Sequence, residues 1–260
     1  MNLFRLTTPL CIMCIGTTAG SESENSPSVS NKPAWGYGAE NGPAVWGRLS
    51  GEYALCAEGS RQSPVDLRNP RPANLPAITF NYRPTPLNIH NNGHTIEVAS
   101  TGENWLEVGS EKYSLAQYHF HAPSEHTVEG NSFDMEMHLV HRNREGVLAV
   151  IGVLIQRGNE HVALNQVRKH LPATRGEIKS VEGVSVNPLD LLPRNRRAYR
   201  YAGSLTTPPC TEDVNWIVMA TPIELSAAQI AAFKAVVHKN NRPVQALNGR
   251  EILMDIGKEE

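Results

Sequence analysis

Hydrophobic and polar positions repeat mostly with a period of two, the spacing of a β-strand. Residues 132–140 (SFDMEMHLV) alternate, with Phe133, Met135, Met137 and Leu139 on one face and Asp134, Glu136, His138 and Val140 on the other. Residues 115–121 do the same, setting Gln117, His119 and His121 opposite Tyr118 and Phe120. Two runs do not alternate: VLAVIGVLI (147–155) and WIVMA (216–220) are continuously apolar and rich in β-branched residues, which predicts strands buried on both faces.

Helical spacing is rarer. In 226–238 (SAAQIAAFKAVVH), Ser226 and Gln229 have capping-box spacing, and Ile230, Phe233, Val236 and Val237 form an apolar stripe. A second helix is predicted over 160–170, stopped before Pro172. Many strands with a few peripheral helices predict a mainly β (α+β) single domain, largely antiparallel. No mid-chain segment is long or polar enough to act as a linker.

The first twenty residues break this pattern. Arg5 precedes a modest apolar run over 6–15, and small residues follow at 16–20. This predicts a secretory signal peptide over 1–20, with an uncleaved anchor or a lipid on Cys14 as alternatives. The short run counts against the first alternative, and Met13 before the cysteine against the second. The Ser-, Asn- and Glu-rich stretch that follows predicts a disordered leader over 21–34. Cys11 and Cys14, a C-x-x-C pair, fall inside the signal run. The mature chain then keeps Cys56 and Cys210, most simply one disulfide of an exported protein, periplasmic or secreted. Closing that 154-residue loop is worth about 5 kcal/mol by the chain-entropy argument.

Charge and composition narrow the partners. A net charge of −2 with no basic stripe argues against nucleic acid. No run of eighteen apolar residues predicts a membrane-spanning helix.

The ten residues QYHFHAPSEH (117–126) hold three histidines. On a strand, His119-x-His121 points both rings to one face, close enough to share one ion. A hydrogen-bonded pair on a half-buried strand would look the same. His138 is the natural third ligand, with Glu136 beside it on the polar face to fix its tautomer. Gln117 is placed to do the same for His119. Three imidazoles without cysteine point to Zn²⁺ with an open, catalytic position. His126 follows a turn, so spacing leaves it open as a fourth ligand. His141 has the opposite parity to His138 and is expected to point outward. His90 and His94 flank a turn signal at Asn91-Asn92-Gly93. His161, His170 and His238 are expected to be solvated near helix ends.

Nine stretches in order carry a resemblance: WGYGAENGPAVW (35–46), RQSPVDL (61–67), NNGHTIEV (91–98), QYHFHAPSEHTV (117–128), EMHLVH (136–141), LAVIGV (148–153), YAGSLTTPPC (201–210), VNWIV (214–218) and NRPVQALNGR (241–250). The chain resembles the α-class carbonic anhydrases, of exported bacterial type. The resemblance implies a catalytic domain over 35–257 and a central twisted sheet of about ten mostly antiparallel strands. Short helices would lie outside, with zinc at the base of a conical cleft.

The implied activity is reversible hydration of CO2 to bicarbonate and a proton by zinc-bound hydroxide. The implied zinc ligands are His119, His121 and His138. Gln117, Glu136 and a backbone carbonyl near Asn240 would orient them, and His126 becomes a structural histidine. Thr206 and Glu125 would orient the hydroxide, and His94 would shuttle the proton along a path lined by Tyr37, Asn92 and Glu97. Glu97 departs from the amide more usual in the family, and is expected to raise the His94 pKa and slow proton release. Val140, Val150, Leu205, Thr207, Val214 and Trp216 would line the CO2 pocket. Cys56 and Cys210 match a family disulfide. The expected state is monomer or homodimer. The alternative is a non-catalytic binding domain of the same fold, which typically loses ligand histidines. A zinc hydrolase of another kind is disfavoured because no H-E-x-x-H occurs.

Overall fold

Alternation along the sequence becomes a large twisted sheet. The computed structural model describes residues 34–255, so the signal peptide and all but the last residue of the leader lie outside the described residues. Among the described residues thirteen strands share one sheet, and a two-stranded pair stands apart. The main path runs Ile178–Val186, Thr85–Asn91, Ile96–Ala99, Glu111–His121, Met135–Arg142, Leu148–Arg157, Glu212–Met219, Ala198–Ser204, Leu253–Asp255 and Arg71–Ala73. Most neighbours are antiparallel. Leu148–Arg157 lies parallel to Glu212–Met219, and Leu253–Asp255 to Arg71–Ala73.

The expected buried strand, Leu148–Arg157, sits near the middle of that path. Ile151, Val153 and Ile155 join the main core on one face, and Val150 and Leu154 join a second apolar cluster on the other. Burying such a side chain contributes roughly 1.5–3 kcal/mol, which fixes the strand between two layers. Met135, Met137 and Leu139 of the next strand turn into the main core, so Glu136 and His138 must face the other way. The sequence alternation includes Phe133 with these methionines. The strand begins only at Met135, and Phe133 packs against the second cluster instead.

The histidine-pair strand carries a bulge. Its pairing with Met135–Arg142 jumps between Leu115 and Gln117, leaving Ala116 without a partner. The extra residue resets parity. Leu115 enters the main core with Tyr118 and Phe120, although it has the numbering parity of Gln117.

His141 corrects an expectation. It does have the opposite parity to His138, but that face is core, and the side chain is fully buried. Its Nδ1–H donates to the Ala149 carbonyl at 3.2 Å, and Tyr82 Oη lies 2.6 Å from Nε2. Burial pushes its pKa down to about 3.

The longer helices are Val162–Lys169 and Ala227–Val237. The second opens with the expected capping box. The histidines near these ends are less free than expected. His161 caps the first helix, and His170 Nδ1 donates to Gln166 O at 2.8 Å, whereas His238 is exposed. A third apolar cluster, Trp46, Tyr53, Cys56 and Cys210, joins the N-terminal segment to the chain around Cys210 through the disulfide.

Candidate metal centre and active site

Strand register assembles the site. His119 and His138 are direct partners across neighbouring strands, and His121 pairs with Glu136 one pleat along. The rings stand 5.3 Å (His119–His138), 5.0 Å (His119–His121) and 4.6 Å (His121–His138) apart. One nitrogen from each lies within 4.8 Å of the others.

Each ring has one nitrogen committed elsewhere. His119 Nδ1–H donates to Gln117 Oε1 at 2.9 Å, and His121 Nδ1–H to the Asn240 carbonyl at 2.8 Å. His138 uses the other nitrogen, with Nε2–H donating to Glu136 Oε1 at 2.9 Å. This fixes the tautomers and leaves His119 Nε2, His121 Nε2 and His138 Nδ1 with free lone pairs. His121 Nε2 is buried without a hydrogen-bond partner. Burial holds all three pKa values down, that of His119 furthest, so the rings are neutral and able to ligate.

Glu136 is the hub beneath them. Oε1 also accepts from His126 Nδ1–H at 2.7 Å, and Oε2 accepts the backbone N–H groups of Glu125 and His126 at 2.9 and 2.8 Å. Burial pushes its pKa up, but His126 and His138 outweigh that and hold it well below the usual carboxylate range. Gly152, the next residue in the His119–His138 row, leaves it room, since a Cβ there would lie 3.0 Å from Glu136 Oε1. His126 is fully buried, with Nε2 2.7 Å from Tyr201 Oη, which lies 2.9 Å from Ser63 Oγ. Both of its nitrogens therefore have hydrogen-bond partners, although His126, Glu136 and His138 also bring three ligand-type atoms within 4.8 Å of one another.

Glu125 faces the free nitrogens. Its Oε2 is 3.5 Å from His121 Nε2 and 3.9 Å from His138 Nδ1. Burial raises its pKa to about 7, while His138, the Arg242 N–H and the Thr206 hydroxyl pull the other way. Thr206 stands close enough to favour the charged carboxylate, without meeting hydrogen-bond geometry at Oε2.

A cavity of about 120 Å³ joins His119, His121 and Gln117 to Tyr37, Asn92, His94, Glu97 and Thr207. Val140, Val150, Leu205, Val214 and Trp216 share the second apolar cluster and do not line this cavity. Their wall reaches the ligands through Trp216, whose ring centroid lies 4.8 Å from that of His138. A larger cleft of about 650 Å³ beside Tyr113, Arg200 and Leu253 holds no ligating cluster among the described residues.

His94 sits in the turn that Asn92 builds, its Oδ1 accepting the N–H groups of His94 and Thr95 at 2.9 Å. Burial and the nearby Arg175 lower the His94 pKa. The expected upward push from Glu97 is not found: Glu97 lines the cavity but is not among the groups acting on the imidazole. Arg175 packs over Gly93, where a Cβ would meet its Nε at 2.2 Å. Trp35, which stacks on His94, opens the first resemblance stretch but was given no role there, and Arg175 lies in none of the stretches.

Comparison with known proteins agrees with this geometry. The sequence profile of the eukaryotic-type carbonic anhydrases matches residues 41–256. The chain belongs to the α-carbonic anhydrases. As a member it is a carbonate dehydratase, a lyase acting on CO2 and bicarbonate. It is similar to the carbonic anhydrase of Nostoc sp. (41% identity, 93% of each chain) and to that of Neisseria gonorrhoeae (40%, 97% of each). Among solved structures, α-carbonic anhydrase from Thermovibrio ammonificans, in complex with the inhibitor sulfanilamide, superposes with a TM-score of 0.83. It is 42% identical over 85% of this chain and 99% of that one. Dioscorin complexed with ascorbate has the same architecture at 32% identity and a TM-score of 0.77, over 85% of this chain and 97% of that one.

Proposed function

We propose that the chain hydrates CO2 with one Zn²⁺ held by His119, His121 and His138, and exports the proton through His94. One observation carries this: three neutral imidazoles, His121 and His138 buried and His119 half-buried, each with one nitrogen tied away and the other turned to a common point. A buried lone pair without a partner, as at His121 Nε2, is costly unless something binds it. An all-nitrogen set of three suits zinc with a fourth position open for chemistry. Bound there, zinc would make water acidic enough, near pKa 7, to supply a hydroxide nucleophile at neutral pH.

The remaining work belongs to this chain's own side chains. The Thr206 hydroxyl gives its proton towards Glu125 and turns a lone pair to the site, which then accepts only a nucleophile carrying a hydrogen. Val140, Val150, Leu205, Val214 and Trp216 form a dry wall beside His138 suited to CO2, which has neither charge nor dipole, while Thr207 lines the cavity at His119 and His121. His94 is lowered by burial and Arg175, so it is neutral at pH 7 and gives up a captured proton readily. Tyr37, Asn92 and Glu97 border the route between. A Cys56–Cys210 disulfide suits an oxidising compartment, in keeping with a periplasmic or secreted enzyme.

The dioscorin likeness shows that the fold also occurs in a protein described by an ascorbate complex. The complete histidine set with its three orienting partners favours the enzyme over a binding domain. Stopped-flow CO2 hydration on zinc-quantified protein tests this. Activity is expected to rise through about pH 7 and to vanish in His119→Ala. Full zinc occupancy with no hydration at any pH would overturn it.

A further inference from the structure

Residues 240–242 touch the site twice. The Asn240 carbonyl accepts from His121 Nδ1–H at 2.8 Å, and the Arg242 backbone N–H donates to Glu125 Oε1 at 2.8 Å. Asn240 also ties to the ligand strand on either side of His121, donating to Phe120 O and accepting from Ala122 N. No regular helix or strand spans this segment: Asn240, which also donates to His94 O, anchors one end, and the end at Arg242 needs an anchor of its own.

The Arg242 side chain does that. It is 1% exposed, unusual for an arginine, and its guanidinium hydrogen bonds go to residues 56, 62 and 63 beside Cys56. Nη2 donates to the Cys56 carbonyl at 2.8 Å, and Nη1 to Gln62 Oε1 and the Ser63 carbonyl, both at 2.8 Å. The guanidinium lies over the Trp46 ring, 5.8 Å from its centroid. Gln62 passes the connection on, its Nε2 donating to the Cys210 carbonyl at 3.0 Å. Both bridged cysteines are thus joined, through Gln62 and Arg242, to the segment that holds a ligand histidine and Glu125. A planar fork reaches several acceptors on a separate segment at once, which a lysine ammonium does not do with the same geometry.

We propose that Arg242 is a positioning residue for CO2 hydration: its guanidinium, braced by Gln62, holds residues 240–242 so that Glu125 and His121 keep their places. The proposal rests on the roles given above to Glu125 and His121. A residue buried only to complete the core would affect stability and leave the reaction alone.

The test uses the full-length, zinc-loaded enzyme in wild-type, Arg242→Lys, Gln62→Leu and Glu125→Gln forms, with each of the first two changes also made in the Glu125→Gln background. kcat/KM for CO2 hydration is measured per bound zinc, well below the melting temperature, together with zinc release to a chelator. Arg242→Lys is expected to lower kcat/KM by about 10-fold, since small misplacements cost up to about 100-fold. The same change in the Glu125→Gln background is expected to cost clearly less, because the part that runs through Glu125 is already gone and only the part through His121 remains. Zinc release is expected to quicken several-fold, as Asn240 loses its fixed place beside His121. Equal losses in both backgrounds, no loss at all, or zinc release at the wild-type rate would each overturn the proposal. If Arg242→Lys does not fold, Gln62→Leu decides by the same measurements, with an expected loss of about 3-fold. If Glu125→Gln alone runs at the wild-type rate, the role of Glu125 falls and the clamp falls with it. An impaired Glu125→Gln beside an unimpaired Arg242→Lys removes the clamp alone.

Discussion

His94 lies flat on Trp35, with ring centroids 3.7 Å apart and planes 7° from parallel. Trp35 is itself wedged edge-on against Trp46 and Tyr37, at 5.4 and 5.8 Å. The N-terminal segment therefore supplies one face of the imidazole's surroundings. In Trp35→Ala the ring gains water, and its pKa is expected to rise towards 6.5, because burial is the largest cause of its depression. kcat/KM for CO2 is expected to stay unchanged, since the hydration step does not use the imidazole. NMR titration of His94 and stopped-flow kinetics check the two halves separately.

Glu136 accepts four hydrogen bonds while fully buried. Glu136→Ala strands four donors, at roughly 1–3 kcal/mol for each one left unsatisfied. It is expected to destabilise the fold by several kcal/mol, and zinc binding is expected to weaken about 10- to 100-fold as His138 loses its orienting partner. Thermal melts and competition with a chelator measure these losses. Glu136→Gln, which keeps part of the network, is expected to fall between Glu136→Ala and wild type.

His141 makes stability depend on acid. Its folded pKa, about 3, lies below its ordinary value of 6.5. Below pH 6.5 the unfolded chain takes up a proton that the folded chain refuses. Stability is therefore complete above 6.5 and declines as pH falls towards 3, by up to about 1.4 kcal/mol per pH unit. His141→Gln is expected to flatten this part of the curve. Denaturant titrations of both proteins at several pH values, at fixed zinc, give the comparison.

Reduction of Cys56–Cys210 releases a 154-residue loop. The expected loss of stability is at most about 5 kcal/mol. Activity is expected to fall with it, because Cys210 lies four residues from Thr206 and its carbonyl anchors Gln62. Melting and hydration assays with and without reductant, with free thiols counted, check both. Unchanged melting and full activity after verified reduction would refute this.

Much of the ligand geometry was legible because parity along a strand assigns faces. Gln117, His119 and His121 fell together on one strand, as did Glu136 and His138 on the next, and the register brought the two sets face to face. Parity does not say what covers a face. His141 was set on the correct side and misjudged because that side is core. Nor does parity survive an inserted residue, as Ala116 demonstrates between Leu115 and Gln117. His126 lay beyond a turn, and its partners Glu136 and Tyr201 are 10 and 75 residues away. Trp35, Arg175 and Arg242 act through contacts that no short window of sequence contains. The charge that lowers the His94 pKa, Arg175, lies far along the chain and was missed for the same reason.

On the proposed zinc site, the pairing of His119 with His138 would make the metal a proofreader of the fold. A slip of one residue between these strands would turn one strand's ligands into the core and leave no position where all three nitrogens converge. A misassembled sheet therefore keeps at most the His119–His121 pair, a weaker site than the three together. Metal content per chain, measured during refolding, would count correctly assembled molecules before any of them is asked to turn over substrate.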